Sequence, residues 1–411
     1  MTKTNKIIEL FKRIDYRLVI IAILIVYYAL YWGSFQNFIN DIDHCSLAFC
    51  DFVAFYYPAG KTILAHLPLP DGFYYSNFAA VLLAPFALFQ EKTATILWGV
   101  LQAILTGLFF LTTSKQLAKD KIPGYVFTFL FFTSSALFNN LKWGQFSILI
   151  TAGIWGAFLL YENGRRDLSA LLLGVMVAIK FYPAIFLLPF IFKRDWIYLL
   201  VSSVTAAVCL LLIPLPFMGF SNGMLSQLTP IERAVQLLQS VAIHNIDTQY
   251  LPSVIARSFN IPINTPIITI LSVVGYLIVL FSAFIAYRIS RSAVPGGLFW
   301  ACGLLFATIP FWISSAWPHY FVYLPCLQIM AFHEITRQGS SLKRSSLILW
   351  MFSVVLSNIL TMQAVHSWNK YIGLGSLFWS NLAILMLFSM ILWRYVKPKP
   401  SKTGDGSLST G

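Results

Sequence analysis

The sequence predicts an all-α polytopic membrane protein, a bundle of about 12 transmembrane helices with further helices lying along the outer membrane surface. Three observations predict it. Hydrophobic residues make up 58% of the chain and charged residues only 10%, with a mean hydropathy of +0.75. Soluble domains carry roughly 25% charge, so lipid must be the solvent over most of this length. Apolar runs near the ~20 residues that a crossing helix needs recur from end to end. Finally, the basic residues behind the net charge of +13 fall in short segments between those runs. That placement, with no basic and aromatic patch on a hydrophilic domain, excludes a nucleic-acid partner.

Residues 1–17 form a basic tail with Lys3, Lys6, Lys12, Arg13 and Arg17. The apolar run 18–35 follows with no small-residue cleavage site after it, so it reads as a retained first span. The remaining candidate spans are 94–113, 123–138, 145–161, 168–180, 183–192, 197–214, 266–287, 296–313, 319–333, 346–364 and 374–394. The pair 168–180 and 183–192 is short, and Pro183 and Pro189 forbid one straight helix. It predicts a shallow hairpin with Lys180 to Pro183 at its tip.

With the N-terminus inside, twenty-one of the 28 lysines and arginines lie in inside segments. This bias orients the bundle in the plasma (cell inner) membrane with both termini cytoplasmic. It also decides residues 78–90, which as a span would turn Lys115, Lys119, Lys121, Arg165 and Arg166 outward. They are expected instead as an interfacial helix. One transmembrane domain, 18–396, results, with long outer loops 36–93 and 215–265 and a disordered cytoplasmic tail 397–411. Loops of that length in a compact protein usually carry function. Cys45 and Cys50 share the first outer loop and can pair in an oxidising compartment, whereas Cys209, Cys302 and Cys326 fall in apolar runs.

The chemistry-bearing residues crowd the outer end. Asp51 opens a stretch, Phe52 to Leu67, whose apolar spacing suits a short surface helix. Its carboxylate can take a proton from a hydroxyl or cap the helix. Asn139-Asn140-Leu141-Lys142-Trp143-Gly144-Gln145 reads as a polar outer turn offering a cation and amides, with a glycine that lets a ligand near the backbone. Lys180 lies at the hairpin tip, where it can meet a lipid-linked phosphate or snorkel to the headgroups. His319 ends a span, and His244 and Gln249 lie in the second loop. No histidine pair has zinc-ligand spacing, and no Walker, dinucleotide or Gly-x-Ser-x-Gly pattern occurs. No cofactor is expected.

The order of these pieces resembles a known family. An Asp-Phe-x-x-aromatic-Tyr opening (Asp51 to Tyr56) precedes a Gly-Gln turn (Gly144, Gln145). A Gly-x-x-x-Ala-x-Lys-x-x-Pro hairpin follows (Gly174 to Pro183), then a Trp-x-His-aromatic turn (Trp317 to Tyr320). This is similar to membrane glycosyltransferases of the C-type fold, and most of all to glycosyltransferase family 87, a former domain of unknown function. That family includes polyprenyl-phosphate-mannose-dependent mannosyltransferases. Two positions depart from the family pattern. His66-Leu-Pro-Leu-Pro70 stands where Gly-x-Pro-Leu-Tyr is usual, and Tyr75-Ser-Asn where Tyr-Pro-Pro is usual.

The resemblance implies a polyprenyl-phosphate-linked sugar donor, mannose-like, and a glycolipid or polysaccharide acceptor met in the membrane. Asp51 is implied as the general base of an inverting transfer. Lys180 and His319 would face the lipid phosphate, with Lys142 or Arg257 assisting. Tyr56, Gln145, His244 and Gln249 would contact substrate. Some C-type enzymes hold a divalent metal through a second acid in the 139–145 segment. No acid occurs there, so metal independence is expected. Two other classes share the hydropathy pattern. A flippase for a lipid-linked sugar needs ionisable residues along a central path. A polymerase or ligase of the O-antigen type needs loop arginines, for which Arg233 and Arg257 stand available.

Overall fold

The computed structural model of the chain describes residues 49–118, 120–218, 245–262, 266–292, 294, 296–337 and 340–396. The basic tail, the expected span 18–35, Cys45, His244, Arg233 and the tail beyond 396 lie outside the described residues. The described chain is all-helical. Its sole β-type pairing among the described residues is an isolated bridge between Ser134 and Asn358.

A π-helical turn, Phe52–Tyr56, leads into α1 (Tyr57–Leu64), and Ser76 caps α2 (Asn77–Ala87) by accepting from the Ala79 N–H. The surface helices expected over 52–67 and 78–90 are therefore present, and α2 packs against α1. Next come α3 (Glu91–Leu117), α4 (Lys121–Phe132), α5 (Ser135–Trp143), α6 (Ser147–Glu162) and α7 (Arg166–Ile179). The expected hairpin follows. Lys180 leaves α7 in an extended conformation, and a 3-10 turn, Tyr182–Leu187, enters α8 (Leu188–Lys193). Then α9 (Trp196–Ala207) continues through a π turn into α10 (Leu215–Met218).

The C-terminal half holds α11 (Leu251–Ser258), α12 (Pro266–Ser290), α13 (Gly297–Ala307) and α14 (Ile309–Trp312). A 3-10 turn, Pro318–Tyr323, opens α15 (Leu324–Arg337), followed by α16 (Ser340–Leu356), α17 (Ile359–Ala364), α18 (Trp368–Gly373) and α19 (Ser376–Val396).

Among the described residues, four helices are long and apolar enough to cross a membrane: Glu91–Leu117, Trp196–Met218, Pro266–Ser290 and Ser376–Tyr395. Several shorter apolar helices accompany them. The expected count of about 12 spans is thus not reached by full-length helices among the described residues, where several expected spans are interrupted. The run 123–138 breaks at Thr133-Ser134, 296–313 ends in a one-turn helix, and 346–364 breaks at Ser357-Asn358.

Two of these breaks satisfy each other, as buried backbone polar groups must be satisfied in lipid. Ser135 N–H donates to the Ser357 carbonyl at 2.9 Å and Ile359 N–H to the Thr133 carbonyl at 2.8 Å. The Asn358 amide nitrogen donates to Thr133 Oγ1 at 2.6 Å. The long helices carry apolar residues outward. On α3 these are Leu97, Val100, Ile104, Leu108 and Leu111, spaced three to four apart on one face, as a lipid-facing stripe requires. Inside, small residues bring helices close. A Cβ on Gly174 of α7 would stand 2.5 Å from the Ser202 carbonyl oxygen on α9.

The bundle has two chemically distinct ends. At one, the starts of α3 and α6 meet the ends of α5 and α7, where Trp98 Nε1 donates to the Gly144 carbonyl at 2.9 Å and the Ser76 hydroxyl to the Ala178 carbonyl at 2.5 Å. The other gathers cations. There Arg166 pairs with Asp195, whose other oxygen accepts from the Tyr161 hydroxyl at 2.8 Å, and Phe192 packs on Tyr287.

Candidate active site

Asp51 lies at the first end, immediately before the π turn, with helical backbone angles and no side-chain capping bond. The helix-capping reading therefore fails, and the half-buried carboxylate turns to a different partner. Its Oδ2 accepts a hydrogen bond from Gln145 Nε2. Gln145 is itself held by every polar atom it has. Its Oε1 accepts from the hydroxyls of Tyr56 at 2.7 Å and Tyr75 at 2.9 Å. Those two donors fix the amide orientation, so the NH2 group must face Asp51.

The backbone around Gln145 is equally constrained. Its N–H donates to the Asn140 carbonyl at 3.0 Å, and its carbonyl accepts from Gln102 Nε2 at 3.1 Å. Asn140 in turn donates to Gln102 Oε1 at 3.2 Å and accepts from the Ile148 N–H. The stretch expected as a polar turn, Asn139 to Gln145, is thus helical as far as Trp143, with Asn139 and Asn140 buried and Asn140 held by polar partners rather than by water. Only Gly144 turns, at φ +68°. What approaches its missing side chain is protein and not a ligand: a Cβ there would stand 3.0 Å from Phe49 Cα. That close approach sets the start of the Asp51 segment against the end of α5.

Lys180 completes the arrangement. Ser76 ties the strand-like exit of α7 to the loop carrying Tyr75. The Lys180 ammonium then sits 4.4 Å from the ring centroids of both Tyr75 and Tyr320, and 3.5 Å from the Tyr75 hydroxyl. Tyr182 packs on Tyr320 at 5.4 Å. Beneath lies an aromatic floor of Phe52, Trp98 and Phe146, with Phe52 stacked on Trp98 at 5.1 Å. Burial pushes the Asp51 carboxyl up from 3.8 to about 7, against the opposing pull of the Lys180 charge. His319, on the 3-10 turn packed against α5, is 5% exposed, and its Nε2 has no hydrogen-bond partner among the described residues.

The other sequence-predicted residues form a second cluster. Arg257 donates to the carbonyls of Thr248 at 2.8 Å, Asn245 at 3.2 Å and Gly373 at 3.4 Å. Gln249 is fully buried, donating to the Ile372 carbonyl at 3.1 Å and accepting from the Phe378 N–H at 3.2 Å. Both therefore tie the second loop to α18 and α19. Half-buried Lys142 lies 6.0 Å from its neighbouring Trp143 ring, and burial raises the Asp247 carboxyl against the pull of Arg257 and Lys142. His244 cannot be placed, as it is outside the described residues.

The structure thus brings Asp51, Tyr56, Gln145, Lys180 and His319 into one neighbourhood. It adds Tyr75, Tyr320 and Tyr182, which sequence reasoning did not single out. Tyr75 begins the departing Tyr-Ser-Asn segment and Tyr320 is the aromatic after His319, so both were within view as pattern positions. Cys50, next to Asp51, is disulfide-bonded, while Cys209, Cys302 and Cys326 are free.

Comparison with family models returns glycosyltransferase family 87 over residues 73–316. That range holds Tyr75, Lys142, Gln145, Lys180, Gln249 and Arg257; Asp51 and Tyr56 precede it, and His319 and Tyr320 follow it. Neither the curated proteins nor the solved structures include a match to the chain. With more than half its length matched, the chain belongs to glycosyltransferase family 87.

Proposed function

We propose that this glycosyltransferase moves a mannose-like hexose from a polyprenyl-phosphate-linked donor to the hydroxyl of an extracytoplasmic glycolipid or polysaccharide acceptor. Asp51 acts as the general base and the anomeric configuration inverts. The observation that carries the reading is the Asp51 carboxylate, oriented by Gln145 and lying in the electrostatic reach of the Lys180 ammonium.

The chemistry follows from charge. The acceptor hydroxyl gives its proton to Asp51 while its oxygen attacks the anomeric carbon opposite the phosphate. The bond from that carbon to the phosphate oxygen breaks through an oxocarbenium-like state. Polyprenyl phosphate leaves with the electron pair. A base with a pKa of about 7 suits this task, being free at neutral pH yet basic enough to accept the proton. Lys180 receives the leaving phosphate, since a cation in a water-poor site stabilises developing charge strongly, and the buried His319 ring offers it a hydrogen bond. Arg257 has its donors committed to backbone carbonyls, which leaves the phosphate to those two. The polymerase or ligase reading then depends on Arg233, which lies outside the described residues.

The extracytoplasmic placement is supported by the cation bias and by the disulfide at Cys50, since oxidising compartments preserve such bonds. The test is transfer of radiolabelled sugar from polyprenyl-phosphate-hexose by the purified protein, without ATP or an ion gradient. Wild type should transfer and Asp51→Asn should not. Substantial transfer by Asp51→Asn, at an unchanged protein level, removes Asp51 from the role. ATP or gradient dependence returns the protein to the flippase class.

A further inference from the structure

The cationic end of the bundle holds a cavity of about 280 Å3 lined by Tyr287, Arg288, Arg291, Ser292 and Tyr395. Two arginines ending a span are by themselves the usual complement to a helix C-terminus and a cytoplasmic membrane face. Here both arginines are exposed and line one open cavity. Arg291 is seated: its Nη1 donates to the Tyr287 hydroxyl at 3.0 Å, and its guanidinium carbon lies 5.6 Å from that ring. No carboxylate lines the cavity. Glu334 reaches its rim through Tyr395, whose hydroxyl donates to Glu334 Oε1 at 3.0 Å. Guanidiniums beside phenolic and aliphatic hydroxyls present the donor geometry that phosphate oxygens accept.

The source of that phosphate is indicated by what lies along the helices toward the bilayer centre. Leu277, Leu280, Phe281 and Phe284 of α12 are 59%, 65%, 48% and 46% exposed. On the neighbouring α19, Met390 and Trp393 also face outward, and the rings of Phe281 and Trp393 meet at 6.2 Å across the two helices. An apolar face shared by α12 and α19 therefore leads toward the cationic cavity. A free anion would have no use for that face, whereas a phospholipid engages both.

We propose that this cavity binds the phosphodiester headgroup of an anionic phospholipid of the cytoplasmic leaflet, with an acyl chain against the apolar face of α12 and α19. Arg288 and Arg291 hold the phosphate, and Tyr287 keeps Arg291 in place. The site is independent of the Asp51 and Lys180 neighbourhood.

Native mass spectrometry of the full chain, exchanged into phosphatidylglycerol or phosphatidylcholine, tests it. Wild type should keep phosphatidylglycerol in preference. Retention should fall about five-fold for each arginine lost in Arg288→Gln and Arg291→Gln, the effect expected of one basic residue near a membrane surface. Arg291→Lys, which keeps the charge and is compatible with the same fold, should fall between. Equal retention of both lipids by wild type, or unchanged phosphatidylglycerol retention in the double variant, overturns the proposal. Displacement by millimolar inorganic phosphate also overturns it, assigning the cavity to a free anion.

Discussion

Gln145 Nε2 donates to Asp51 Oδ2 while two tyrosine hydroxyls hold the opposite end of the same amide. The carboxylate is therefore oriented by a residue that cannot itself rotate. Gln145→Ala should lower kcat/KM by about 10- to 100-fold, the worth of one hydrogen bond to a charged group. Because that bond favours the ionised carboxylate, its loss should also move the acid limb of the pH–rate profile to higher pH. A fall in rate with an unmoved limb would mean that Gln145 acts on packing alone.

The acid limb itself has a defined place. With the Asp51 carboxyl at about 7 in the folded chain, the basic form is lost as the pH falls below that value. The rate of wild-type transfer should drop about ten-fold per pH unit below it. A plateau extending down to pH 5 would contradict a buried carboxylate base.

The same shift separates lost chemistry from lost structure. Burial raises the folded-state pKa of Asp51 above its ordinary 3.8, so ionising it opposes folding. That penalty is absent below 3.8, grows between the two values and is complete above about 7. Asp51→Asn should therefore abolish transfer while raising Tm at pH 8 relative to wild type, as thermal unfolding in detergent would show. A lower Tm at that pH would indicate structural damage.

Lys180 stands between two tyrosine rings with its charge directed toward the same neighbourhood. Lys180→Gln should reduce kcat by about 10²- to 10³-fold, the usual effect of removing one group that stabilises a leaving charge. Tyr320→Phe keeps the ring against the ammonium and should cost far less. Comparable losses in both variants would place the effect in the hydroxyl network and not in the cation.

With no acid in the 139–145 segment, transfer is expected not to need a metal. Transfer should continue unchanged in excess EDTA. Activity lost to EDTA and restored by manganese would show that other oxygen donors supply a metal.

Much of this arrangement was legible in the chain. The cation bias and hydropathy indicate a membrane bundle, and Pro183 and Pro189 mark the hairpin that carries Lys180. The spacing of apolar residues after Asp51 indicates the surface helix. What was not legible depends on pairing between distant segments. Asn139 and Asn140 read as turn residues because their polarity implies water, yet both are buried, and Asn140 bonds to α3 and α6. Gly144 suggested access for a ligand, and only the position of Phe49 shows which backbone comes close. Arg257 and Gln249 looked like substrate contacts because a polar side chain does not announce which carbonyls it will meet. The interruptions at Ser134 and Asn358 were hidden inside runs whose hydropathy alone suits a continuous span.

Those paired interruptions tie the segment that carries Gln145 to a stretch synthesised much later. The helix that delivers Gln145 starts at a carbonyl whose partner, Ile359, is made more than two hundred residues later and lies beyond the family-matched portion. A ribosome that stopped after residue 316 would release a polypeptide carrying most of the recognisable signature but lacking the anchor for one of its main supports. Seating of the Gln145 segment must accordingly await those later helices, so ending the chain between residues 320 and 359 would erode function without removing any residue proposed to act in the reaction.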